Sequence, residues 1–236
     1  MLYAIADTHL SFSVKKPMDV FGARWTNHAE RLRENWLKKV RPEDTVVIPG
    51  DVSWGISLDE AEADLRFLDD LPGKKLLGKG NHDYWWTTAN KMTAFFTEKG
   101  FSTLSILYNN AYYADGFIVC GTRGWMSEFG VKAEDERLIA REAQRLELSL
   151  QAGQKLQEEH PDSPLTVFTH YPVTFGDFIN DAALDVLYRY GVEDVYYGHL
   201  HNVKASQLDG EYLGVRFHMI AGDYLAFDPL AVTAGN

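Results

Sequence analysis

The sequence predicts an α/β fold with strands inside and helices outside. Through about the first hundred residues, short apolar runs alternate with amphipathic, helix-forming segments, which is the pattern of βαβ units. After Val192 the chain is mostly strand-like, so a second sheet is expected. The 236 residues contain no repeat, low-complexity run or Gly/Ser linker, and we predict a single domain over residues 1–236.

Five apolar runs are predicted to be buried strands, because they are rich in β-branched and aromatic residues. These runs are Leu2–Ala6, Thr45–Pro49, Lys75–Leu77, Leu165–Phe168 and Val195–Tyr197. Each run ends at or just before a short polar motif. Since open α/β sheets bind ligands beyond the carboxyl ends of their strands, we expect the five motifs to face one crevice.

Four segments are predicted to be helices from their composition and apolar spacing. They are Asn27–Lys39, Leu58–Asp70, a segment that begins after Thr87 or Thr88 and ends at Lys99, and Ala133–Glu158. Either threonine can cap the third helix with its side-chain oxygen. The predicted helices fall between or after the predicted strands, as layered α/β folds require.

The composition excludes several classes of protein. A formal net charge of −11 argues against long DNA or RNA as the substrate, because such proteins normally carry a basic face. A small phosphate ester remains compatible, since bound cations neutralise charge locally. No apolar stretch is long enough to span a membrane, and the N-terminus lacks the features of a signal peptide. We therefore expect a cytoplasmic protein with no membrane partner.

The chain has one cysteine, Cys120. A single cysteine excludes an internal disulfide and any cysteine-based zinc site. Cys120 lies in the apolar run Phe117–Cys120, so we expect a buried structural thiol and not a nucleophile.

The five polar motifs hold carboxylate, amide and imidazole groups, which bind hard and borderline metal ions. The motifs are Asp7-Thr8-His9, Gly50-Asp51, Gly80-Asn81-His82-Asp83, Thr169-His170 and Gly198-His199-Leu200-His201. Asp7 and His9 are two positions apart, as are His199 and His201. Residues at this spacing share one face of a strand, so Asp7 and His9 can both reach one ion.

Seven candidate ligands are too many for one ion and suit two ions that share a carboxylate. The candidates are Asp7, His9, Asp51, Asn81, His170, His199 and His201. Asp51 is the natural bridge, with one oxygen for each ion. Mixed imidazole, carboxylate and amide ligands favour Mn, Fe, Zn or Co over Ca, which prefers oxygen alone.

His82 and Asp83 directly follow the candidate ligand Asn81. A histidine in this position can act as a general acid that protonates a leaving oxygen. The neighbouring carboxylate of Asp83 would support the charged form of that histidine. We therefore predict that both residues are catalytic.

In this order the motifs resemble the signature of the calcineurin-like metallophosphoesterases, over most of the chain. The resemblance implies a four-layer α/β/β/α sandwich of two mixed sheets, with a dinuclear metal site at the strand ends and His82 as the catalytic histidine. The cofactors implied are two divalent or trivalent ions, with Mn, Fe or Zn favoured. The ligands implied are Asp7, His9, Asp51 and His201 for one ion, and Asp51, Asn81, His170 and His199 for the other.

The function implied is hydrolysis of a small phosphomonoester or phosphodiester. A hydroxide shared by the two ions would attack phosphorus, and His82 would protonate the leaving group. One alternative is a nuclease of the same family, which a basic groove near the site would support. A second is a non-catalytic scaffold that has lost its catalytic histidine, against which the presence of His82 and of every ligand argues. The sequence does not predict an oligomeric state.

Three features beside the motifs each have two interpretations. Arg123, between two glycines, either holds a phosphate through its planar guanidinium or makes a local surface salt bridge. The triplet Tyr84-Trp85-Trp86 either stacks on a nucleobase or packs in the core, with packing favoured. Trp54, close to Asp51, either lines the pocket or braces its loop.

Overall fold

Two β-sheets lie at the centre of the structure, a computed structural model that describes residues 1–127, 133–208 and 210–233. The first sheet contains, in spatial order, β13 (Leu230–Ala231), β1 (Leu2–Ala4), β2 (Thr45–Ile48), β3 (Lys74–Leu77) and β4 (Leu104–Ile106). Strands β1 to β4 are parallel and β13 is antiparallel to β1. The carboxyl ends of β1, β2 and β3 therefore lie along one edge of this sheet.

The second sheet is also mixed. It contains, in spatial order, β11 (Glu211–Tyr212), β12 (Val215–Met219), β10 (Asp194–Tyr197), β7 (Leu165–Thr169), β6 (Phe117–Thr122) and β5 (Ala111–Ala114). The four inner strands are parallel, and the two outer strands are antiparallel to their neighbours. A separate hairpin pairs β8 (Thr174–Phe175) with β9 (Phe178–Ile179).

The four predicted helices are present, and the structure adds a fifth that the sequence analysis did not predict. The helices are α1 (His28–Lys39), α2 (Leu58–Asp70), α3 (Ala89–Lys99), α4 (Ala133–Gln157) and α5 (Asp181–Arg189). Side-chain oxygens of Ser57, Thr88 and Asn180 cap α2, α3 and α5 by accepting backbone N–H groups of the first turn. None of the helices formed by the described residues combines the length and hydrophobicity of a membrane span.

Three apolar cores hold the layers together. One lies between the first sheet and α1 to α3, where Ile48 and Trp36 are fully buried. A second, which includes Leu150, lies between the second sheet and α4 and α5. The third joins the two sheets face to face and includes Val47 of the first and Phe168 of the second. Ile48 packs toward the helices and Val47 toward the other sheet, and in the second sheet Val167 and Phe168 alternate in the same way. Both sheets are therefore covered on both faces, and the predicted α/β/β/α sandwich is confirmed.

The lone cysteine belongs to the core between β6 and α4. Cys120 is fully buried, and its Sγ lies 3.6 Å from the carbonyl oxygen of Ser149 on α4. Burial raises the pKa of the thiol to about 12, so the thiolate that a nucleophile needs does not form near neutral pH.

Candidate metal centre

The predicted metal ligands lie in loops that directly follow β1, β2, β3, β7 and β10. Four of them have positive backbone φ angles: 56° for Asp7, 43° for His9, 51° for Asp51 and 70° for His199. Residues other than glycine rarely adopt this left-handed region, and such residues concentrate at functional sites. The prediction that Asp7 and His9 share a strand face is therefore wrong, as it is for His199 and His201. Both strands end earlier, and left-handed turns direct the side chains.

Two glycines allow these loops to approach each other. A Cβ atom at Gly80 would collide with Oδ1 of Asp51, and one at Gly198 would collide with Oδ2 of Asp7. Any larger residue at either position would push a candidate ligand out of place. The glycines of two sequence motifs therefore bring the ligands of two other motifs within reach.

The first group of converging ligands contains Asp7, His9 and His201, whose donor atoms all lie within 4.8 Å of one another. The Nε2 atoms of His9 and His201 are 3.4 Å apart. Nε2 of His201 is also 3.8 Å from Oδ1 of Asp7. The two ends of the sequence signature, separated by almost two hundred residues, thus meet at one point.

The second group contains Asp7, Asp51 and His170, again within 4.8 Å of one another. Asn81 lies beside it, because its Oδ1 is 2.7 Å from Nε2 of His170 and 3.0 Å from Nδ1 of His199. All seven predicted ligands therefore converge. Asp7 belongs to both groups, whereas the family resemblance implied it for one ion only.

Asp51 belongs to the second group and also approaches the first. Its Oδ2 is 3.5 Å from Nε2 of His9 and 3.7 Å from Nε2 of His170. Its Oδ1 instead accepts a 2.8 Å hydrogen bond from the backbone N–H of His82. The expectation that Asp51 offers one oxygen to each ion is corrected here: Oδ2 faces both groups, and Oδ1 positions the loop of His82.

The chemistry of this donor set fits metal ions. Oδ1 of Asp7, Oδ2 of Asp51 and Nδ1 of His9 and of His170 are buried and have no hydrogen-bond partner among the residues that the structure describes. Buried polar atoms are almost always paired, and leaving them unpaired is costly. Cations between the ligand groups would pair with the two carboxylate oxygens, which lie close to ring nitrogens of His170.

The pKa shifts of the candidate ligands also fit metal binding. Burial raises the pKa of Asp7 to about 7, and it raises the pKa of Asp51 well above its ordinary value. Burial also lowers the pKa of His199 to about 3 and holds the pKa of His9 and of His170 far below that of a free imidazole. These three histidines are thus neutral, which is the form that binds metal. The two carboxylates need a nearby positive charge to be fully ionised at neutral pH.

Asp223 orients His201 and was not predicted as a site residue. Its Oδ1 lies 2.8 Å from Nδ1 of His201. A metal-binding histidine commonly donates its second ring N–H to a carboxylate, which fixes the other nitrogen for the metal. Burial lowers the pKa of His201, but this hydrogen bond and the charge of Asp7 outweigh burial and raise it overall. The only sequence signal was the turn pattern Gly222-Asp223.

The carboxylate of Asp83 contacts backbone N–H groups and not, as predicted, the ring of His82. It is 2% exposed, and its Oδ2 accepts hydrogen bonds from the backbone N–H groups of Asp51 and Gly80. Its Oδ1 accepts from the N–H groups of Val52 and Ser53 and from Nε1 of Trp85. These contacts join the loops after β2 and β3. The prediction that Asp83 directly supports charged His82 is therefore corrected to a positioning role.

His82 stands at the edge of the ligand groups and is half-buried. Its ring centroid lies 4.5 Å from that of Trp54, which in turn stacks on His9 at 5.0 Å. Trp54 therefore both braces a ligand and contacts the predicted acid. Burial lowers the pKa of His82, and the positive charges of His201 and Lys16 lower it further. A phosphate anion beside the ring would oppose this shift.

Arg123 lies close enough to the centre for its charge to lower the pKa of Asp51, of His170 and of His199. Its guanidinium carbon is 5.3 Å from the ring centre of Trp125 and 5.4 Å from that of Tyr171. Its buried Nε has no hydrogen-bond partner in residues 1–127, 133–208 and 210–233. Within the described part of the chain no carboxylate pairs with it, which favours the phosphate interpretation over a surface salt bridge.

Two cavities open beside the centre, one of about 600 Å³ and one of about 860 Å³. His82 and His201 line both. Two residues of the aromatic triplet have different positions. Trp85 is buried in the core, whereas Tyr84 is 60% exposed and lines the smaller cavity. Trp54 lines the same cavity, so both of its interpretations hold.

The comparisons with known proteins agree with this geometry. The sequence pattern of the calcineurin-like phosphoesterases matches residues 2–203, which include every predicted metal ligand. No curated protein matches the chain. A protein of unknown function from Aquifex aeolicus aligns over 98% of this chain and 94% of its own, with 16% identity and a TM-score of 0.57.

A phosphopantetheinyl hydrolase from Mycobacterium tuberculosis aligns over 93% of this chain and 88% of its own, with 17% identity and a TM-score of 0.53. At such low identities the two solved structures show a shared fold alone. The family match covers most of the chain and carries the assignment. This protein belongs to the calcineurin-like phosphoesterases, a family of dimetal-dependent phosphate ester hydrolases.

Proposed function

We propose that the protein hydrolyses a small phosphomonoester or phosphodiester where the two ligand groups meet. The observation that carries this proposal is the position of Oδ2 of Asp51, which is buried, has no hydrogen-bond partner within the described part of the chain, and lies within 4 Å of a histidine from each group. One carboxylate oxygen facing two sets of donors suits a pair of ions. Imidazole, carboxylate and amide donors together favour Mn, Fe or Zn.

Each of the residues at the centre would have a separate role in the reaction. Ions held by the seven ligands would supply Lewis-acid activation of water and neutralise charge on the phosphate. Arg123 would hold a phosphate oxygen through its guanidinium group, which has no carboxylate partner within the described residues. His82, which lines both cavities, would deliver a proton to the leaving oxygen. Asp83 and Asp223 would keep Asp51 and His201 in position.

A small ester is preferred to long DNA or RNA as the substrate. The chain carries a formal net charge of −11, whereas a protein that tracks a nucleic-acid backbone needs a basic surface. The two cavities lie within the usual size range of small-molecule sites, about 300–1,000 Å³. A non-catalytic scaffold would have no use for the unpartnered buried donors that the centre retains.

The experiment is a substrate screen of protein loaded separately with Mn, Fe or Zn, with the bound metal counted by mass spectrometry. The substrates are para-nitrophenyl phosphate, bis(para-nitrophenyl) phosphate, benzyl phosphate, cyclic nucleotides and short single-stranded DNA. We expect turnover of at least one small ester and no cleavage of DNA. Preferred cleavage of DNA would favour the nuclease alternative.

A matched variant guards against a contaminating phosphatase. His170→Ala, purified and loaded in the same way, should hold one ion fewer and lose activity, since Nε2 of His170 faces Asp51 and Asn81. Equal activity in the variant and the parent would assign the hydrolysis to a contaminant. A parent protein that holds two ions and cleaves none of the esters would overturn the proposal.

A further inference from the structure

The smaller cavity combines three features that the hydrolytic centre itself does not require: apolar walls, exposed aromatic rings and two lysines. We propose that this cavity binds the organic group of the substrate, and that this group is a flat aromatic ring carrying a second negative charge. The inference rests on the proposed function, because it places the phosphate of the same substrate at the metal centre.

The position of the cavity connects it to the chemistry. His9, His82 and His201 form its inner wall, and these residues also belong to the metal centre or to the predicted proton donor. An ester whose phosphate lies at the centre would therefore extend its organic group into this cavity without crossing another layer of protein. Its volume of about 600 Å³ exceeds that of a single ring and suits a compact organic molecule.

The walls are apolar and partly exposed. Phe21, Ile56 and Tyr84 line the cavity although 48%, 70% and 60% of each residue is exposed. Exposed apolar side chains that cluster around a concave surface are typical of ligand-binding sites. Such walls offer few hydrogen bonds to a polyol, so they disfavour sugar phosphates and glycerol phosphates.

Aromatic rings, and not only aliphatic side chains, face the cavity. Trp54 and Tyr84 both lie against His82, with ring centroids 4.5 Å and 6.2 Å from that of the histidine. A flat ring entering beside His82 can make stacked or edge-to-face contacts with these neighbours. An aliphatic group of equal size would gain burial but not these contacts.

The lysines supply the charge preference. Lys15 and Lys16 line the cavity, and neither has a carboxylate partner within the described residues. Nζ of Lys16 lies 4.3 Å from the ring centre of Trp54, which holds the ammonium beside the cavity. In a chain with a net charge of −11, two adjacent unpaired cations facing one cavity favour an anionic ligand.

The larger cavity lacks this combination. Its lining includes Asp177 and, within the described residues, no lysine or arginine. A second anionic group would therefore be repelled there. The contrast assigns the anionic organic group to the smaller cavity, and leaves the larger one open for solvent or for the second substituent of a diester.

The test compares three esters of matched leaving groups: para-carboxybenzyl, benzyl and cyclohexylmethyl phosphate, each also offered as its methyl diester. All three release a primary alcohol, so their intrinsic reactivities are similar. We expect kcat/KM to fall in that order. The carboxylate should contribute about fivefold, as an ion pair partly open to water does.

Two variants separate charge from ring contacts. Lys16→Gln should lower kcat/KM for para-carboxybenzyl phosphate more than for benzyl phosphate, and so reduce the preference for the carboxylate. Tyr84→Ser should reduce the preference for benzyl over cyclohexylmethyl phosphate. Lys155→Gln, an exposed lysine on α4, should behave as the parent. Calorimetry with the product para-(hydroxymethyl)benzoate should show weaker binding to Lys16→Gln, a readout that does not need turnover.

The outcomes distinguish this inference from the proposed function. Cleavage of all three esters with equal kcat/KM, unaffected by Lys16→Gln and Tyr84→Ser, would overturn the inference and leave the phosphoesterase intact. Preference for cyclohexylmethyl phosphate would also overturn it, in favour of an aliphatic group. Cleavage of none of them by protein that holds two ions would overturn both.

Discussion

The backbone N–H of His82 donates a 2.8 Å hydrogen bond to Oδ1 of Asp51. The other oxygen of Asp51 faces His9 and His170, one residue from each ligand group. The Asp51 carboxylate, which approaches histidines of both groups, therefore also fixes the backbone of the predicted proton donor. A change at Asp51 should consequently affect the binding of both ions and the position of His82 together.

Asp51→Asn should reduce metal binding more than any other single ligand change. An amide has no charge to offset two cations, and its NH₂ group cannot coordinate. The expected result is loss of both ions at metal concentrations that saturate the parent. Metal content after gel filtration, measured by mass spectrometry, checks this.

His9→Ala and His170→Ala are the matched comparisons for Asp51→Asn. Each removes a histidine from one ligand group, so each should mainly weaken one ion and leave the other in place. If Asp51→Asn instead retains two ions with parental affinity, Asp51 does not bridge the two ions.

His82→Ala should lower kcat by about 10²–10⁴-fold for esters of alkyl alcohols while both ions stay bound, since His82 is assigned to proton transfer and not to coordination. The loss should be much smaller for para-nitrophenyl phosphate, because nitrophenolate leaves without a proton. The measurement is kcat for the two substrate types, with metal content determined in parallel. Equal losses for good and poor leaving groups would contradict the acid role.

Asp83→Asn should destabilise the protein without removing any predicted ligand. Both oxygens of Asp83 accept buried N–H groups, and an amide would turn one of these acceptors into a donor that faces other donors. A cost of about 2–3 kcal/mol is expected for such unsatisfied groups. Urea unfolding measures it, with the exposed Asp162→Asn as the control. Unchanged stability would mean that these backbone contacts do not hold the two loops together.

Much of the fold and most of the ligand set could be predicted because their signals are local. An apolar run such as Leu165–Phe168, followed by His170, predicts both a buried strand and the candidate ligand at its carboxyl end. Parallel pairing of the strands then brings these ends together. The helix at Asp181–Arg189 was missed although Asn180 caps it, because only nine residues carry its periodicity.

Features that depend on three-dimensional partners could not be predicted. Strand alternation suggested that Asp7 and His9 share a face, but a left-handed turn at each residue overrides that rule. Asp223 acquires its role only because the loop after β12 meets His201 across the site. Asp83 was assigned by its proximity to His82 in sequence, whereas its side chain turns toward the backbone of Asp51.

Lys75 provides a stability prediction with a defined pH window. This lysine is fully buried, its Nζ donates to the carbonyl oxygens of Leu71 and Gly73, and burial lowers its pKa from 10.5 to about 8. Between these values the unfolded chain holds the proton more strongly than the folded chain. Raising the pH from about 8 to 10.5 should therefore favour the folded state through this residue.

Lys75→Met should remove this contribution, so the stability of the variant relative to the parent should fall as the pH rises through the window. Urea unfolding at several pH values gives the difference directly. Lys74→Met, which changes the exposed neighbour, should retain the pH dependence of the parent. A difference between parent and Lys75→Met that stays constant with pH would show that Lys75 keeps its proton when folded.

Arg123→Ala should raise KM about tenfold and lower kcat by much less, because a group that grips a non-reacting phosphate oxygen binds ground state and transition state alike. The guanidinium packs beside the rings of Trp125 and Tyr171, so a modest loss of stability should accompany the change. Arg123→Lys should have a KM between those of Arg123→Ala and the parent, because lysine keeps the positive charge but cannot make the two parallel hydrogen bonds of a planar guanidinium. Steady-state kinetics on an ester identified in the screen measures both constants. Values equal to those of the parent would leave Arg123 with a packing role only.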